Sequence, residues 1–117
     1  MTKEIAIMHV KSELKLAEQA ITVDNIGKAR VCVRRACGIA IEYWLKFNPN
    51  KKWGLSAISM LDNLQNDFAI PEEIREAAKR LTKKVNQNFE TGVEVDPIKD
   101  GETIIEYFLD IKNLNEI

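Results

Sequence analysis

Apolar residues recur at steps of three and four positions along most of the chain, which is the spacing of one face of an α-helix. The first such segment spans about Lys3 to Ala20, with Thr2 in the position of an N-cap. The apolar residues that share one face of this predicted helix are Ile7, Val10, Leu14, Ala17 and Ile21.

Capping residues mark the start of the next helix. Asp24 and Asn25 provide a cap for a second helix, which is predicted to end near Phe47. A third helix is predicted over about Leu55 to Asn66. Its apolar positions are Leu55, Ile58, Leu61 and Leu64.

The second half of the chain contains two more predicted helices. Pro71, a residue favoured in a first helical turn, opens a helix that continues to about Phe89. Asp100 is the predicted N-cap of a last helix over 101–114, whose apolar stripe is Ile104, Phe108 and Ile111. We therefore predict an all-α fold, an antiparallel up-and-down bundle of four main helices plus a fifth C-terminal helix, with residues 1–117 as one domain.

The second helix is apolar on two sides, unlike an ordinary surface helix. Small residues dominate its first stripe, which would let a neighbouring helix approach closely. This stripe consists of Ala29, Val33, Ala36, Ala40, Trp44 and Phe47. A second apolar patch, on the other side, consists of Val31, Gly38, Ile41 and Leu45.

Two apolar faces require two partners. The first stripe is predicted to face the bundle core, and the second faces either other helices of the same chain or a second copy of it. For a homodimer, the predicted interface residues are Val31, Arg34, Ile41 and Leu45, with the stem of Arg34 lying on apolar atoms at the rim.

The charge balance gives no global sign of a nucleic-acid-binding protein. The chain has 17 basic and 18 acidic residues and a net charge of −1, so any such site must be local. The candidate nucleic-acid-binding residues are Arg75, Lys79, Lys83 and Asn86, which fall on or beside one face of the fourth predicted helix. The alternative is a solvated helix end whose late bases match the helix dipole.

Other chemistry is sparse. The sequence has no HExxH, no glycine-rich phosphate loop and no marked serine–histidine pair, so no metal and no cofactor are predicted. Cys32 and Cys37 are predicted to be buried thiols in a reducing cytoplasm. No stretch approaches the roughly 20 apolar residues of a membrane span, and charges interrupt any secretory signal, so a cytoplasmic protein without a membrane partner is expected.

Several stretches resemble HEPN domains. The run from Lys28 to Leu45, KARVCVRRACGIAIEYWL, is similar to the second helix of that family, including the Ala-x-Glu at 40–42. Positions 55–64 and Ile70-Pro71-Glu72-Glu73 resemble the third helix and its connection, and 80–86 resembles the helix that ends in the family's polar motif. The resemblance implies a helical bundle, commonly a dimer. Many members are metal-independent ribonucleases, toxins of toxin–antitoxin pairs or partners of small nucleotidyltransferases.

The catalytic signature of this family is an arginine, a polar residue and a histidine four residues after the polar one. When Asn86 is aligned with the polar residue, the arginine position is Val85 and the histidine position is Glu90. Cleavage of RNA through its 2′-hydroxyl needs a group that titrates near neutrality and a cation for the phosphate, so no catalytic residue is predicted. His9, the only histidine, is expected to be an incidental surface residue.

The expected function is that of a non-catalytic HEPN-like module of a prokaryotic toxin–antitoxin or defence system, which binds RNA or a nucleotidyltransferase-type partner. Two alternatives stay open. One is a metal-independent ribonuclease with an atypical site formed by Arg75, Lys79 and Asn86. The other is a purely structural homodimeric interaction protein.

Overall fold

A computed structural model of the chain describes residues 1–83 and 96–117. Over these ranges the chain forms α1 (Lys3–Thr22), α2 (Ile26–Leu45), α3 (Ala57–Leu64), α4 (Glu72–Thr82), α5 (Pro97–Leu109) and a 3-10 turn at Leu114–Glu116. The described ranges contain no β-strand. The all-α class is therefore confirmed, and the buried apolar residues of the helices form one core cluster.

Polar caps start α1 and α2 where the sequence predicts. The Thr2 hydroxyl accepts a hydrogen bond from the Ile5 N–H at 3.2 Å, and the Asn25 side chain accepts one from the Lys28 N–H at 3.1 Å. Each cap satisfies an N–H that the helix itself leaves without a partner, which stabilises a helix by about 1 kcal/mol. The starts of these two helices are therefore determined by residues that are close together in the sequence.

The helix α3 starts two residues later than predicted and buries only part of its apolar positions. Leu55 is fully exposed and Ile58 is 44% exposed, whereas Met60, Leu61 and Leu64 are buried. Ser56 caps the helix by accepting from the Ser59 N–H, so Leu55 precedes it. Steps of three residues drift by about 60° per step around a helix of 3.6 residues per turn, so apolar residues at 55, 58, 61 and 64 do not share one face.

The bounds of α4 and α5 also differ from the prediction. The helix α4 ends at Thr82, because the backbone of Lys83 is extended (φ −63°, ψ 134°), rather than continuing to Phe89. Residues 84–95 lie outside the described ranges. The helix α5 begins at Pro97, four residues earlier than predicted, since Asp96 and not Asp100 caps it by accepting from the Ile98 N–H at 2.9 Å.

The helix α2 packs against α1, α3 and α5. Its small residues allow this, since Ala29, Val33, Ala36 and Ala40 have no exposed surface. Close approach is tightest at two glycines. A methyl group on Gly38 would lie 2.9 Å from Cβ of Ala57 in α3, and one on Gly101 of α5 would lie 2.4 Å from Cγ1 of Val33.

The packing of α3 covers part of the second apolar face of α2. Gly38 lies against Ala57 there, and Ile41, one turn later, has no exposed surface. Burying a side chain of this size stabilises the fold by about 1.5–3 kcal/mol. This part of the face is therefore used within the chain.

Aromatic rings close the end of the core near the C-terminus of α2. Trp53, which is 5% exposed, stacks on Trp44 with ring centroids 5.3 Å apart and meets Phe108 edge-on at 6.1 Å. Trp53 therefore packs over this end of the helices. Phe47 is different, because it follows α2 and is 68% exposed instead of joining the core stripe.

Two further features of the described chain are the state of its cysteines and the character of its helices. Cys32 and Cys37 are free and buried, as expected, and burial raises the pKa of the Cys37 thiol well above its usual range. None of the helices in the described ranges has both the length and the apolar character needed to cross a lipid bilayer.

Candidate nucleic-acid interface

Two arginines of α2 bind the C-terminal end of α4. Arg30 is 7% exposed, and its Nη2 lies 3.0 Å from each of the carbonyl oxygens of Arg80, Leu81 and Lys83. Arg34, one turn later, donates from Nη1 to the Leu81 carbonyl at 3.2 Å. The last carbonyls of a helix have no partner within the helix, so these guanidinium groups supply the missing donors and complement the helix dipole.

A third arginine joins α4 to α5. The Arg80 guanidinium donates two parallel hydrogen bonds to the carboxylate of Asp100, at 3.0 and 2.9 Å. Asp100 is only 5% exposed. Its hydrogen bonds raise the pKa of Arg80 above the ordinary arginine value. The residue that the sequence suggested as a helix cap therefore binds a basic partner 20 positions earlier in the chain.

We call Arg30, Arg34, Arg80 and Asp100 the arginine cluster. It contains three guanidinium groups and one carboxylate, which is bound by Arg80, so its net charge is +2. Burial lowers the pKa of Arg30, the nearby Arg34 acts in the same direction, and Asp100 opposes both. Burial also lowers the pKa of Arg34. All three groups stay protonated at neutral pH, because the ordinary pKa of a guanidinium group lies far above neutrality.

Lys79 and Lys83 lie beside this cluster and are exposed. Lys79 is adjacent to Arg80 in α4, and the carbonyl of Lys83 accepts from Arg30. Two ion pairs occur in the described part of the chain, Lys51–Asp67 and Arg80–Asp100, so neither lysine is paired with a described carboxylate. The structure thus brings two of the four predicted nucleic-acid-binding residues to one positively charged end of α4.

The other two predicted residues are not part of this group. Arg75 donates from Nε to the Ile70 carbonyl at 3.0 Å, and its guanidinium lies 4.8 Å from the centre of the Phe68 ring. It is thereby held against the connection that precedes α4. Asn86 lies outside the described ranges, as do the positions aligned with the catalytic arginine and histidine, Val85 and Glu90.

The four predicted dimer-interface residues differ in exposure. Val31 is 37% exposed and Leu45 is half-buried. Arg34 is half-buried and donates to α4, so it is not a simple rim residue. Ile41 has no exposed surface and cannot contact a second copy in this conformation, because the packing of its own chain covers it.

Sequence reasoning missed Arg30 and the role of Asp100. One signal was available for Arg30, since Arg30 and Arg34 are four positions apart on a helix that is otherwise apolar on two sides. Such a pair needs acceptors from another element. The acceptors are carbonyl groups some 50 residues later in the chain, which no local pattern reveals.

Comparisons with models of protein families, with curated proteins and with solved structures found no match to the chain. Within residues 1–83 and 96–117, no group of three or more histidine, cysteine, aspartate or glutamate side chains is arranged to hold a metal ion. His9 is exposed on α1, as expected.

Replacing Arg30 with alanine should lower the free energy of unfolding by about 2–4 kcal/mol, because one buried and two partly buried carbonyl groups lose a charged donor. Urea unfolding followed by circular dichroism measures this. Arg35→Ala, on the exposed side of the same helix, is the matched control and should change the free energy by less than about 0.5 kcal/mol. Equal effects of the two variants would show that the contact of Arg30 with α4 contributes nothing specific.

Proposed function

We propose that the chain is a non-catalytic HEPN-like module that binds RNA through the end of the fold where α2, α4 and α5 meet. The observation that carries this proposal is the arginine cluster with Lys79 and Lys83 exposed beside it. The antiparallel up-and-down arrangement of the helices and the place in a prokaryotic toxin–antitoxin or defence system come from the resemblance to HEPN domains.

The charge of this end suits a phosphate backbone. Arg30 and Arg34 are fixed on the carbonyl groups of α4 and Arg80 is paired, so their positions are set before any ligand arrives. Lys79 and Lys83 are then available for phosphate oxygens. Because the net charge of the whole chain is −1, attraction must come from this end alone, and binding should be weak at high salt.

The non-catalytic part of the proposal rests on the sequence at the aligned motif. Val85 stands at the position of the motif's arginine and supplies no cation. Glu90 stands at the position of its histidine and supplies no imidazole. The ribonuclease alternative has less support, since the guanidinium of Arg75 is bound to Ile70 and Phe68 and not directed to the arginine cluster. A nucleotidyltransferase-type partner stays a prediction from the resemblance.

Changing both Lys79 and Lys83 to alanine should weaken binding of single-stranded RNA at low salt. The slope of log affinity against log salt should become shallower by about 0.7 for each phosphate contact that is lost. Fluorescence anisotropy of a labelled mixed-sequence RNA over a range of salt concentrations measures both effects. The control is Lys15→Ala with Lys52→Ala, which removes the same charge from exposed lysines of α1 and of the connection between α2 and α3.

Two results would contradict the RNA proposal. One is the absence of binding to the wild-type protein at low salt, and the other is equal weakening by the control pair. Gel analysis of the same RNA separates binding from cleavage. Intact RNA is expected, and metal-independent fragmentation would favour the ribonuclease alternative.

A purely structural homodimer is the second candidate, and an exposed apolar face of α1 favours it. Ile5, Met8 and Leu16 are 42%, 56% and 42% exposed and lie on one side of the helix, with Ser12 between them. Val23, which follows the helix, is 72% exposed. These apolar side chains are spread over about 27 Å from Ile5 to Val23, with the exposed Ser12 and Gln19 among them, and exposed apolar side chains grouped on one side are typical of interaction sites.

If a second copy covers this face, the wild-type protein should have twice the mass of the chain in light scattering. The Leu16→Glu variant should have the mass of a single chain. The matched control is Leu55→Glu, the same change at a leucine that is 100% exposed elsewhere. Val31→Lys tests the exposed part of the α2 face. A monomeric wild-type protein would contradict the dimer, and a dimer lost only with Val31→Lys would assign it to α2.

A further inference from the structure

A groove of about 540 Å³ lies between the start of α1 and the C-terminal ends of α2 and α5. This volume falls in the range of ligand sites in proteins. Asp110 at the groove is separated from Asp100 of the arginine cluster by about 15 Å along α5, at the usual helical rise. The groove is therefore a separate feature from the proposed phosphate contact, and what binds there is independent of the proposed function.

Aromatic rings from the ends of α2 and α5 line this groove. Phe47, which follows α2, is 68% exposed and meets Tyr43 edge-on, with ring centroids 5.4 Å apart. On the α5 side, Tyr107 is 37% exposed and meets Phe108 edge-on at 5.0 Å. Phe108 in turn meets Trp44 at 5.1 Å. The exposed rings of Phe47 and Tyr107 leave apolar surface that a partner can cover.

The length of the row of rings suits one turn of a polyproline II helix. Trp44, Phe108 and Tyr107 follow one another at 5.1 and 5.0 Å, so the first and third rings are at most two such steps apart. A polyproline II helix has three residues per turn and rises about 3.1 Å per residue, so prolines three positions apart lie about 9 Å apart on one side. The groove therefore holds about one turn of such a peptide.

The polar groups of the groove are mainly hydrogen-bond donors. Within the described residues, neither the hydroxyl groups of Tyr43 and Tyr107 nor the indole N–H of Trp44 donates a hydrogen bond. The Asn48 amide donates to the Trp44 carbonyl at 3.0 Å and has a second N–H. A proline-rich backbone complements these groups, because proline has no N–H and the polyproline II conformation leaves its carbonyl groups without internal partners.

We propose that this groove binds a proline-rich segment of a partner protein in the polyproline II conformation. The rings of Phe47 and Tyr107 cover the proline rings of the peptide, and the tyrosine hydroxyl groups donate to its carbonyl groups. Grooves lined by aromatic residues are a recurring mode of recognition for such peptides, because the extended peptide loses little entropy on binding. The 117 residues of the chain contain three prolines, all far apart in sequence, so they supply no such segment themselves.

The charges at one end of the groove favour a basic residue in the peptide. Asp110 is exposed, and its carboxylate forms no ion pair with another described residue. Lys3 also lines the groove, but it donates to the backbone carbonyl of Asp110, at 3.4 Å. A lysine or arginine beside the prolines pairs with the Asp110 carboxylate and sets the direction of the peptide. The Lys3 ammonium weakens this attraction, so contact with the rings supplies most of the affinity.

An α-helical partner fits the groove less well. The backbone groups of a helix bond to one another within the helix, so they offer no acceptors to the tyrosine hydroxyl groups and the indole N–H. Covering these donors with apolar side chains would cost free energy, because they would lose water without gaining a partner. The carbonyl groups of an extended proline-rich peptide avoid this cost.

An NMR titration of the full chain with a synthetic peptide tests the proposal. The peptide has about ten residues, with Pro-x-x-Pro repeats and one arginine at an end, which is about three turns of polyproline II helix. The expected result is a saturable shift of the Trp44 indole and Tyr107 ring signals. The matched control peptide has alanine at every proline position and keeps the length and the arginine. It should bind at least about fivefold more weakly, because it has no proline rings and is not extended beforehand.

Phe47→Ala should weaken binding of the proline peptide by at least about fivefold, because an aromatic contact surface is lost. Phe68→Ala is the matched control, since Phe68 is 83% exposed and does not line the groove. It should bind the peptide like the wild type. Thermal unfolding of each variant confirms that it is folded.

Asp110→Asn tests the pairing with the basic residue. Asparagine tolerates the left-handed backbone of this position (φ 53°) and removes only the charge. The variant should bind the peptide with arginine about twofold to fivefold more weakly at low salt. It should bind a proline peptide without arginine like the wild type. An equal effect on both peptides would contradict the pairing.

The groove proposal is overturned if the proline peptide shifts no groove signal, if the alanine peptide binds equally well, or if Phe47→Ala binds like the wild type. Its failure is distinct from failure of the RNA proposal. Changing Lys79 and Lys83 to alanine should leave the affinity for the peptide unchanged, and a loss equal to that of Phe47→Ala would overturn the groove. Peptide binding that depends on Phe47, in a protein that binds no RNA, would support the groove and contradict the RNA proposal.

Discussion

The close packing of small residues on α2 is the constraint on which the other described helices depend. Alanines with no exposed surface allow α1 and α5 to approach, and Gly38 allows α3 to do so. Helix axes come this close only where side chains at the contact are small. The helix α2 contacts α4 in another way, through hydrogen bonds from Arg30 and Arg34 to the last carbonyl groups of α4. One helix thus joins apolar contacts on three neighbours to polar contacts on a fourth.

This arrangement gives the two ends of α2 different chemistry. Near its N-terminal half, the guanidinium groups that hold α4 also concentrate positive charge beside Lys79 and Lys83. Past its C-terminus, Phe47 and Asn48 extend into a groove lined by aromatic rings. A net charge of −1 hides this difference, because charge summed over the sequence says nothing about where each charge lies. The RNA-binding proposal rests on this local concentration of charge.

Sequence patterns correctly predicted the features that depend only on residues close together in the chain. Thr2 and Asn25 cap their helices as expected, because a cap involves residues only three positions apart. Leu55 and Ile58 are exposed, since a run of three-residue steps drifts around the helix and Ser56 starts α3 later than predicted. Asp100 was taken for a cap because aspartate is common there. Its partner, Arg80, is brought to it by tertiary packing.

The candidate site was predictable in part for the same reason. The cluster of bases at the end of α4 is visible in the sequence, and Lys79 and Lys83 are exposed there. Arg75 was grouped with them by helical periodicity, but its contacts with Phe68 and Ile70 direct it elsewhere. The groove joins residues from the start of α1 and the ends of α2 and α5. No spacing along the chain relates those segments.

The most direct test of the central position of α2 is amide hydrogen exchange in the native protein. Amides at 33–41 should exchange only through global unfolding, so their exchange free energy should equal the unfolding free energy from urea, while α3 should exchange through smaller openings. Exchange of the α2 amides at a clearly lower free energy, or as fast as those of α3, would contradict the claim that the other helices depend on α2.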